Sequence, residues 1–398
     1  MKNITNKTKT ILFASLIAAM ILPFSGTDFA DAENADEKTK RDVLTKTSKI
    51  IKTKSPDTIH GNYAYKDFVP ENMTNHAFFD IDLIETRDIN KNHKAIPIMI
   101  NGETLVAKLV PDRLLADETA EIDTFKGKII GKSDSDVRML INEYQIGGTV
   151  QMDGNYYLQA LRLLDKRAPD SAYVIYKSQY ENGESQLNTR SLIPEASAYT
   201  TKTVNLITDC DTEYEALYAA NQWDDEQRKV INNIRSLYDD IDITINLVSQ
   251  DSCSDDAYTN ADLQVMVDTD MESYWSTTTG FDMVHLFSGK DLNLGGNDWY
   301  KGKADEIGGL DNPQTEGYSA SQHAAEWDIL YSATDEDKQK LLAHELGHTF
   351  GATHGDQGIS HWWGTENTIM YWSTTWLGSI QWSPANEATV RSNADAYL

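Results

Sequence analysis

Between positions 213 and 247, hydrophobic residues recur first at the spacing of a helix and then at the spacing of a strand. Polar residues separate four apolar ones: Ile241, Ile243, Ile245 and Leu247. This period of two predicts a strand. Glu213 to Tyr238 is predicted to be a helix, because apolar residues recur there at helical spacing: Val230, Ile231, Ile234, Leu237 and Tyr238. With a short strand at Val204 to Ile207, this order predicts a strand, helix, strand crossover in an α/β fold.

Further elements are predicted downstream. They are a helix at Asp262 to Trp275, a strand at Met283 to Phe287 and a helix at about Asp335 to Phe350. The stretch from Gly289 to Gly317 is rich in Gly, Asn and Asp, so we expect it to be irregular. A last helix is predicted to begin with Ser383 as N-cap and Pro384 at its first position.

The first half of the chain shows short strand patterns separated by turn residues. They lie at Phe78 to Leu83, Ala95 to Ile100, Phe125 to Ile130, Asp136 to Ile141 and Tyr156 to Leu161. We therefore expect a mostly β domain over residues 33–177. Residues 178–201 are rich in Ser, Asn, Glu, Gly and Thr, which is typical of an exposed linker where proteolysis concentrates. The second domain is expected over residues 202–398.

The negative charge is concentrated in the second half. Of 62 acidic and 35 basic residues, 35 acidic and 10 basic ones follow position 194, so residues 1–194 are almost neutral. The acidic second half of the chain is not expected to bind nucleic acid. Solubility in a salty medium, calcium binding and basic partners are all compatible with the charge. Asp251, Asp255 and Asp256 do not have the spacing of a calcium loop and are interpreted as a solvated loop.

The N-terminus has the layout of a secretory signal peptide. Basic residues precede an apolar run from Ile11 to Phe24, and Ala30 and Ala32 offer a cleavage site. The run is short for a membrane span, although an uncleaved anchor is the alternative. We expect residues 1–32 to be removed and the protein to be secreted and soluble. In an exported protein, Cys210 and Cys253 are expected to form a disulfide.

The most informative motif is H-E-x-x-H-x-x-G-x-x-H at residues 344–354. On a helix, His344 and His348 lie on one face with Glu345 beside them. Gly351 can adopt a positive φ and turn the chain, which brings back His354 as a third ligand. Three imidazoles with an open fourth position are typical of catalytic zinc.

Met370 follows this motif in the sequence. A histidine motif of this form followed by a methionine resembles the active site of the metzincin metallopeptidases, in which the methionine forms the Met-turn. The chain is most similar to their reprolysin-like (adamalysin-like) branch, because Asp282 to Gly289 and Leu341 to Ala343 are similar to that branch's flanking segments. The resemblance implies an α/β zincin-like catalytic domain with a twisted mixed sheet and an active-site helix. The segment from Gly127 to Leu158 resembles the propeptide of such enzymes. The chain departs from adamalysins in having no cysteine before Met370 and none of their several disulfides beyond the one that Cys210 and Cys253 could form.

The resemblance implies a zinc endopeptidase made as a zymogen and acting on proteins or peptides. Zinc would activate a water molecule, and Glu345 would act as general base. Both cysteines lie after residue 200, so latency through a propeptide thiolate is not expected. Tyr371, Trp372 and Trp376 are candidates for the substrate pocket, and His361 is a further candidate for substrate contact. The alternatives are a zinc hydrolase of non-peptide bonds or a secreted binding protein with a vestigial site. The sequence does not indicate an oligomeric state.

Overall fold

The computed structural model describes most of the chain from residue 27 to the C-terminus. The described residues are 27–70, 73, 75–115, 122–178, 200–219, 222–253, 258–295, 301–325, 328–354, 358–361, 364–370 and 381–398. The apolar run at 11–24 and most of the expected linker lie outside them. The expected cleavage site falls within the first helix, α1 (Thr27–Leu44). Among the described residues, no helix combines the length and apolar character that a membrane span requires.

The N-terminal part, residues 27–178, is built on strands. These are β1 (Ile51–Lys54), β2 (Ile59–His60), β3 (Tyr63–Ala64), β4 (His76–Ile81), β5 (Ala95–Ile100), β6 (Glu103–Pro111), β7 (Thr124–Ile129), β8 (Asp136–Ile141), β9 (Ile146–Gln151), β10 (Asn155–Ala160) and β11 (Ala172–Lys177). Nine of them form one sheet in the order β1-β4-β11-β10-β9-β8-β7-β6-β5. Every neighbouring pair is antiparallel.

Short helices complete this part: α2 (Thr47–Ile50), α3 (Leu83–His93) and α4 (Leu161–Leu164). The strand prediction at Phe78 to Leu83 was wrong at its end. Asp82 ends the extended segment, because its carboxylate accepts the Glu85 N–H at 3.1 Å and caps α3. The predicted strands did not include β1, β2, β3, β6, β9 and β11.

The C-terminal part contains a second sheet and the longest described helices after α1. Its strands are β12 (Lys202–Cys210), β13 (Ile243–Gln250), β14 (Met283–Ser288), β15 (Gly302–Ala304), β16 (Tyr318–Gln322), β17 (Ala324–Ala325), β18 (Asp328–Ser332), β19 (Gly358–His361) and β20 (Gly364–Asn367). Five form a mixed sheet in the order β13-β12-β14-β16-β15. Only β15 is antiparallel to its neighbour, and it lies at the sheet edge.

The helices of this part are α5 (Thr212–Leu217), α6 (Trp223–Asp239), α7 (Leu263–Val265), α8 (Glu272–Trp275), α9 (Pro313–Glu316), α10 (Asp335–Thr349) and α11 (Pro384–Tyr397). A π-helical turn, Met266–Met271, joins α7 to α8. The prediction of one helix over Glu213 to Tyr238 was wrong, because Tyr218 is extended and separates α5 from α6. The prediction of an irregular stretch from Gly289 to Gly317 was also wrong, because the stretch contains β15 and α9. Ser383 caps α11 by accepting the Asn386 N–H at 3.2 Å.

The two parts pack on each other through α6. One face of α6 lies on β13 and α10, and the other lies on β8 and β9 of the N-terminal sheet. Leu114 extends the contact, since its carbonyl accepts the Leu247 N–H at 3.1 Å on the edge strand β13. The predicted disulfide is present: Cys210 at the end of β12 is joined to Cys253, which follows β13.

Candidate active site

Helix α10 carries most of the predicted site residues. Thr334 caps its first turn by accepting the Asp337 N–H at 3.2 Å. His344 and His348 lie one turn apart on its buried side. The helix then ends and the chain turns at Gly351, which has a φ of +93°. A side chain is strongly disfavoured at that angle, and the reversal brings His354 back beside the two helical histidines.

The three histidines converge on one point. Their Nε2 atoms are separated by 3.1 Å between His344 and His348, and by 3.0 Å from each of these to His354. A tetrahedral zinc ion with Zn–N bonds of ~2.0–2.1 Å places its nitrogen ligands roughly 3.3 Å apart. The observed spacing is therefore close to that of a zinc site.

Hydrogen bonds fix the tautomers of the two helical histidines. His344 Nδ1–H donates to the Ile369 carbonyl at 2.7 Å, and His348 Nδ1–H donates to the Ala352 carbonyl at 2.8 Å. Each bond leaves the Nε2 lone pair free, which is how metal-binding histidines are commonly oriented. Lone pairs facing one another at this distance repel unless a cation lies between them. The donor set therefore fits a zinc ion.

Burial keeps these imidazoles neutral. It lowers the pKa of His344 to about 3 and that of His348 to about 4, and it also lowers the pKa of His354, which is the most exposed of the three. Neutral imidazole is the form that binds metal ions. The site is therefore ready to bind a metal at neutral pH.

Glu345 lies between the metal-binding face and the edge strand β15. Its side chain is buried and accepts a hydrogen bond from the Ala304 N–H. Gly302 is so close that a Cβ there would be 2.4 Å from Glu345 Oε1. Burial raises the pKa of Glu345 to about 8, while the charge of Lys303 and the Ala304 hydrogen bond oppose this rise. Such a carboxyl is suited to exchange protons near neutral pH.

Met370 lies beneath the histidine helix, as the Met-turn resemblance implies. It is fully buried, and its Sδ would be 2.7 Å from a Cβ placed on Gly347. Trp382 also packs against Gly347, and its Cη2 would be 2.9 Å from the same Cβ. Gly347 therefore allows α10 to pack closely on Met370.

The structure does not describe the side chains of four candidates named from the sequence. Tyr371, Trp372 and Trp376 lie outside the described residues, and His361 is placed only as the last residue of β19. Among the described residues, the only group of three or more His, Cys, Asp or Glu side chains that could hold a metal is His344, His348 and His354. Calcium binding is accordingly without support.

Sequence reasoning missed the contribution of β15. The three residues Gly302, Lys303 and Ala304 are too few to show a strand period, and they stand in a Gly-rich stretch. Their role becomes visible only through contacts with Glu345, more than forty positions later. The one signal available was the glycine, a residue that permits close backbone approach.

Of the comparisons with known proteins, the match to a family model agrees with this geometry. The family model Reprolysin_5, described as Metallo-peptidase family M12, matches residues 200–383. No curated protein sequence gives a significant match. Metalloproteinase-II from Bacteroides fragilis is 15% identical, with 75% of this chain and 90% of that chain covered and a TM-score of 0.44.

Archaemetzincin from Methanopyrus kandleri is 16% identical, with 51% of this chain and 99% of that chain covered and a TM-score of 0.33. Structural similarities at this level assign neither the fold nor the substrate. The family match covers both the histidine motif and the five-stranded sheet. The chain is thus a zinc metalloendopeptidase, and its residues 200–383 match the model of metallo-peptidase family M12.

Proposed function

We propose that this protein is a secreted zinc endopeptidase made as a precursor, in which Glu345 is the general base. The observation that carries the proposal is that three Nε2 atoms converge while Glu345, the residue after the first of these histidines, is buried against the edge strand β15. This arrangement provides a metal site, a proton acceptor and a place for an extended substrate.

The chain's own residues have separate tasks in the reaction. His344, His348 and His354 would hold the ion, which when bound acidifies a water molecule and polarises the substrate carbonyl. Glu345 accepts the proton of the attacking water and donates it to the leaving amine as the C–N bond breaks. Burial raises the pKa of Glu345, which strengthens it as the acceptor of that proton.

The edge strand β15 favours a peptide as the substrate. Lys301 and Asp305 form backbone hydrogen bonds to β16, through the Lys301 carbonyl and the Asp305 N–H. Because backbone groups alternate in direction along an antiparallel strand, those of Gly302 and Ala304 point away from β16. The Ala304 N–H indeed reaches Glu345. An extended peptide can pair with this outer edge and present its carbonyl near the histidines.

Cleavage of casein and of quenched peptides tests this function. We expect activity to disappear when a chelator removes the metal and to return when zinc is added. An ester or amide of a non-peptide acid serves as the comparison substrate. Hydrolysis of that substrate without any peptide cleavage would contradict the proposal and favour a non-peptide hydrolase.

The packing of α6 supports the proposal that residues 33–177 are a propeptide. Apart from its apolar face, α6 carries polar residues that would suit exposure to water. Several are instead covered by the N-terminal sheet: Asn232 Nδ2 donates to the carbonyls of Phe125 and Met139, and Arg228 pairs with Asp123 at 2.8 Å. A polar face of this kind can become solvent-exposed when its cover is removed.

Controlled proteolysis tests the precursor and the latency together. We expect one cut within residues 178–201, and we expect peptide cleavage to appear only after it. Because both cysteines are in the disulfide, the inhibitory group is not a thiolate. An intact chain as active as the cut one would contradict the zymogen proposal. For secretion, a mature N-terminus at residue 33 is expected by sequencing the exported protein.

A further inference from the structure

Lys303 lies on β15, on the side of the strand opposite to the active site. Successive side chains of a strand point to opposite faces. A Cβ placed on Gly302 would point at Glu345, whereas the side chain of Lys303 reaches the π-helical turn Met266–Met271. Lys303 therefore acts on the active site through the backbone of its own strand and, at a distance, through its charge, which favours the ionised form of Glu345.

Each of the three N–H donors of the Lys303 ammonium group has an acceptor. Its Nζ lies 2.7 Å from Asp268 Oδ1, 3.1 Å from the Ala304 carbonyl and 3.2 Å from the Asp305 carbonyl. A lysine has three donors, and these acceptors satisfy all of them. The side chain is only 15% exposed, so this pair is shielded from water better than an ordinary surface ion pair.

Asp268 links this contact to a second element. It lies in the π-helical turn and also shares a side-chain hydrogen bond with Asp305, just after β15. Such π-helical turns are frequent at functional sites, because the extra residue redirects a side chain. Asp268 therefore holds β15 both through Lys303 and through Asp305.

We propose that Lys303 is a positioning residue for peptide hydrolysis: it ties β15 to the π-helical turn and so holds the backbone of Gly302 and Ala304 against Glu345. The proposal rests on the peptidase function given above. On its outer edge, within the described residues, β15 has no neighbouring strand. Without the tie, a three-residue strand paired on one side only is free to shift away from Glu345.

The test compares Lys303→Met with Lys301→Met. Lys301 lies two positions earlier and pairs at 2.8 Å with Asp291, an exposed residue, so it is a matched control that lacks the tie to the π-helical turn. Hydrogen exchange of the 302–305 amides is measured by mass spectrometry in the zinc-free full chain. We expect exchange to quicken roughly tenfold in Lys303→Met and to stay unchanged in Lys301→Met.

Kinetics of the processed, zinc-loaded enzyme give the second readout. We expect kcat to fall ~10–100-fold in Lys303→Met with equal zinc content, because a displacement of about 1 Å costs that much in rate. Lys303→Arg should restore most of the loss. Asp268→Ala, which removes the acceptor of the Lys303 ammonium group, serves as a second route if Lys303→Met does not fold, and it should show the same faster exchange.

The two hypotheses fail in different ways. Wild-type exchange in both Lys303→Met and Asp268→Ala would overturn the positioning role, whatever the activity. Equal kinetic losses in Lys301→Met and Lys303→Met would also overturn it. Faster exchange in a protein whose wild type cleaves no peptide would instead remove the proposed function and leave the contact between β15 and Glu345 in place.

Discussion

The carboxylate of Glu345 lies directly against Gly302, with room for a hydrogen but not for a methyl group. A Cβ on Gly302 would be 2.4 Å from Oε1, 2.8 Å from Cδ and 2.9 Å from Cγ of Glu345. The contact therefore involves more of the side chain than its flexible tip. The absence of a side chain at position 302 lets the strand approach the general base.

Gly302→Ala should accordingly impair catalysis. The added methyl group displaces the Glu345 carboxylate, so we expect kcat/KM to fall ~100-fold, while the zinc content stays at the wild-type level. Steady-state cleavage of a quenched peptide and metal analysis provide the two measurements. A Gly302→Ala enzyme with wild-type kcat/KM would show that this contact has no part in the reaction.

Gly347→Ala should destabilise the C-terminal part without touching a zinc ligand. The new methyl group would lie 2.7 Å from Met370 Sδ and 2.9 Å from Trp382 Cη2. Overpacking of this kind costs ~1–3 kcal/mol of the free energy of unfolding. The double variant Gly347→Ala, Met370→Ala should recover part of the loss, as measured by urea unfolding. Equal stability of the wild type and Gly347→Ala would contradict the packing.

Lys229 carries a fully buried charge between the two parts of the chain. Its Nζ lies 2.6 Å from Glu226 Oε1 and 2.9 Å from Asp335 Oδ2. Burial alone would raise the pKa of Glu226, but Lys229 and Lys338 lower it to about 2. Lys229→Met leaves the two carboxylates with Lys338 as their only cation within the cluster, and we expect a loss of ~3–5 kcal/mol in the full chain.

The control for Lys229 is a pair at the surface. Lys66 and Asp57 are 2.7 Å apart and both are exposed, so Lys66→Met should leave the urea midpoint unchanged. Equal midpoints for Lys229→Met and Lys66→Met would show that the buried cluster does not stabilise the protein.

His285 should make stability depend on pH. It is fully buried in β14, its ring nitrogens bond to the hydroxyls of Ser319 and Ser321, and burial lowers its pKa to about 3. Below its unfolded pKa of ~6.5, the unfolded chain binds a proton that the folded chain does not, so stability falls as pH falls from 6.5 towards 3.

Between about pH 7.5 and 5.5 this proton accounts for roughly 1.4 kcal/mol of the free energy of unfolding. His285→Gln removes the titrating group, and its stability should therefore fall by that much less over the same interval. Urea unfolding of both proteins at the two pH values provides the measurement. The same pH dependence in both would show that His285 is protonated equally in the folded and unfolded states.

The centre of the active site was predictable because its chemistry is local in sequence. His344, Glu345 and His348 are fixed by the helical period, and Gly351 indicates the turn that returns His354. The structure brings these three histidines together. The contacts of β15 could not be predicted, because they arise between segments that are distant along the chain.

The fold was predictable where periodicity decided it and was missed where tertiary contacts did. The alternation at Ile243 to Leu247 lies in β13, and Ser383 caps α11 as expected. Helix α6 shows the opposite case. Its amphipathic pattern indicates a face exposed to water, yet polar residues such as Lys229 and Asn232 are fully buried beneath the N-terminal sheet. A helical pattern alone cannot show that a second layer covers it.

The most direct test of the central claim is one comparison of the processed wild type with Glu345→Gln. Glutamine keeps the size of the side chain but cannot accept the proton of the attacking water. We predict equal zinc content in the two proteins and a fall in kcat of at least ~100-fold for Glu345→Gln on a quenched peptide. A zinc-loaded Glu345→Gln enzyme with wild-type kcat would contradict the account.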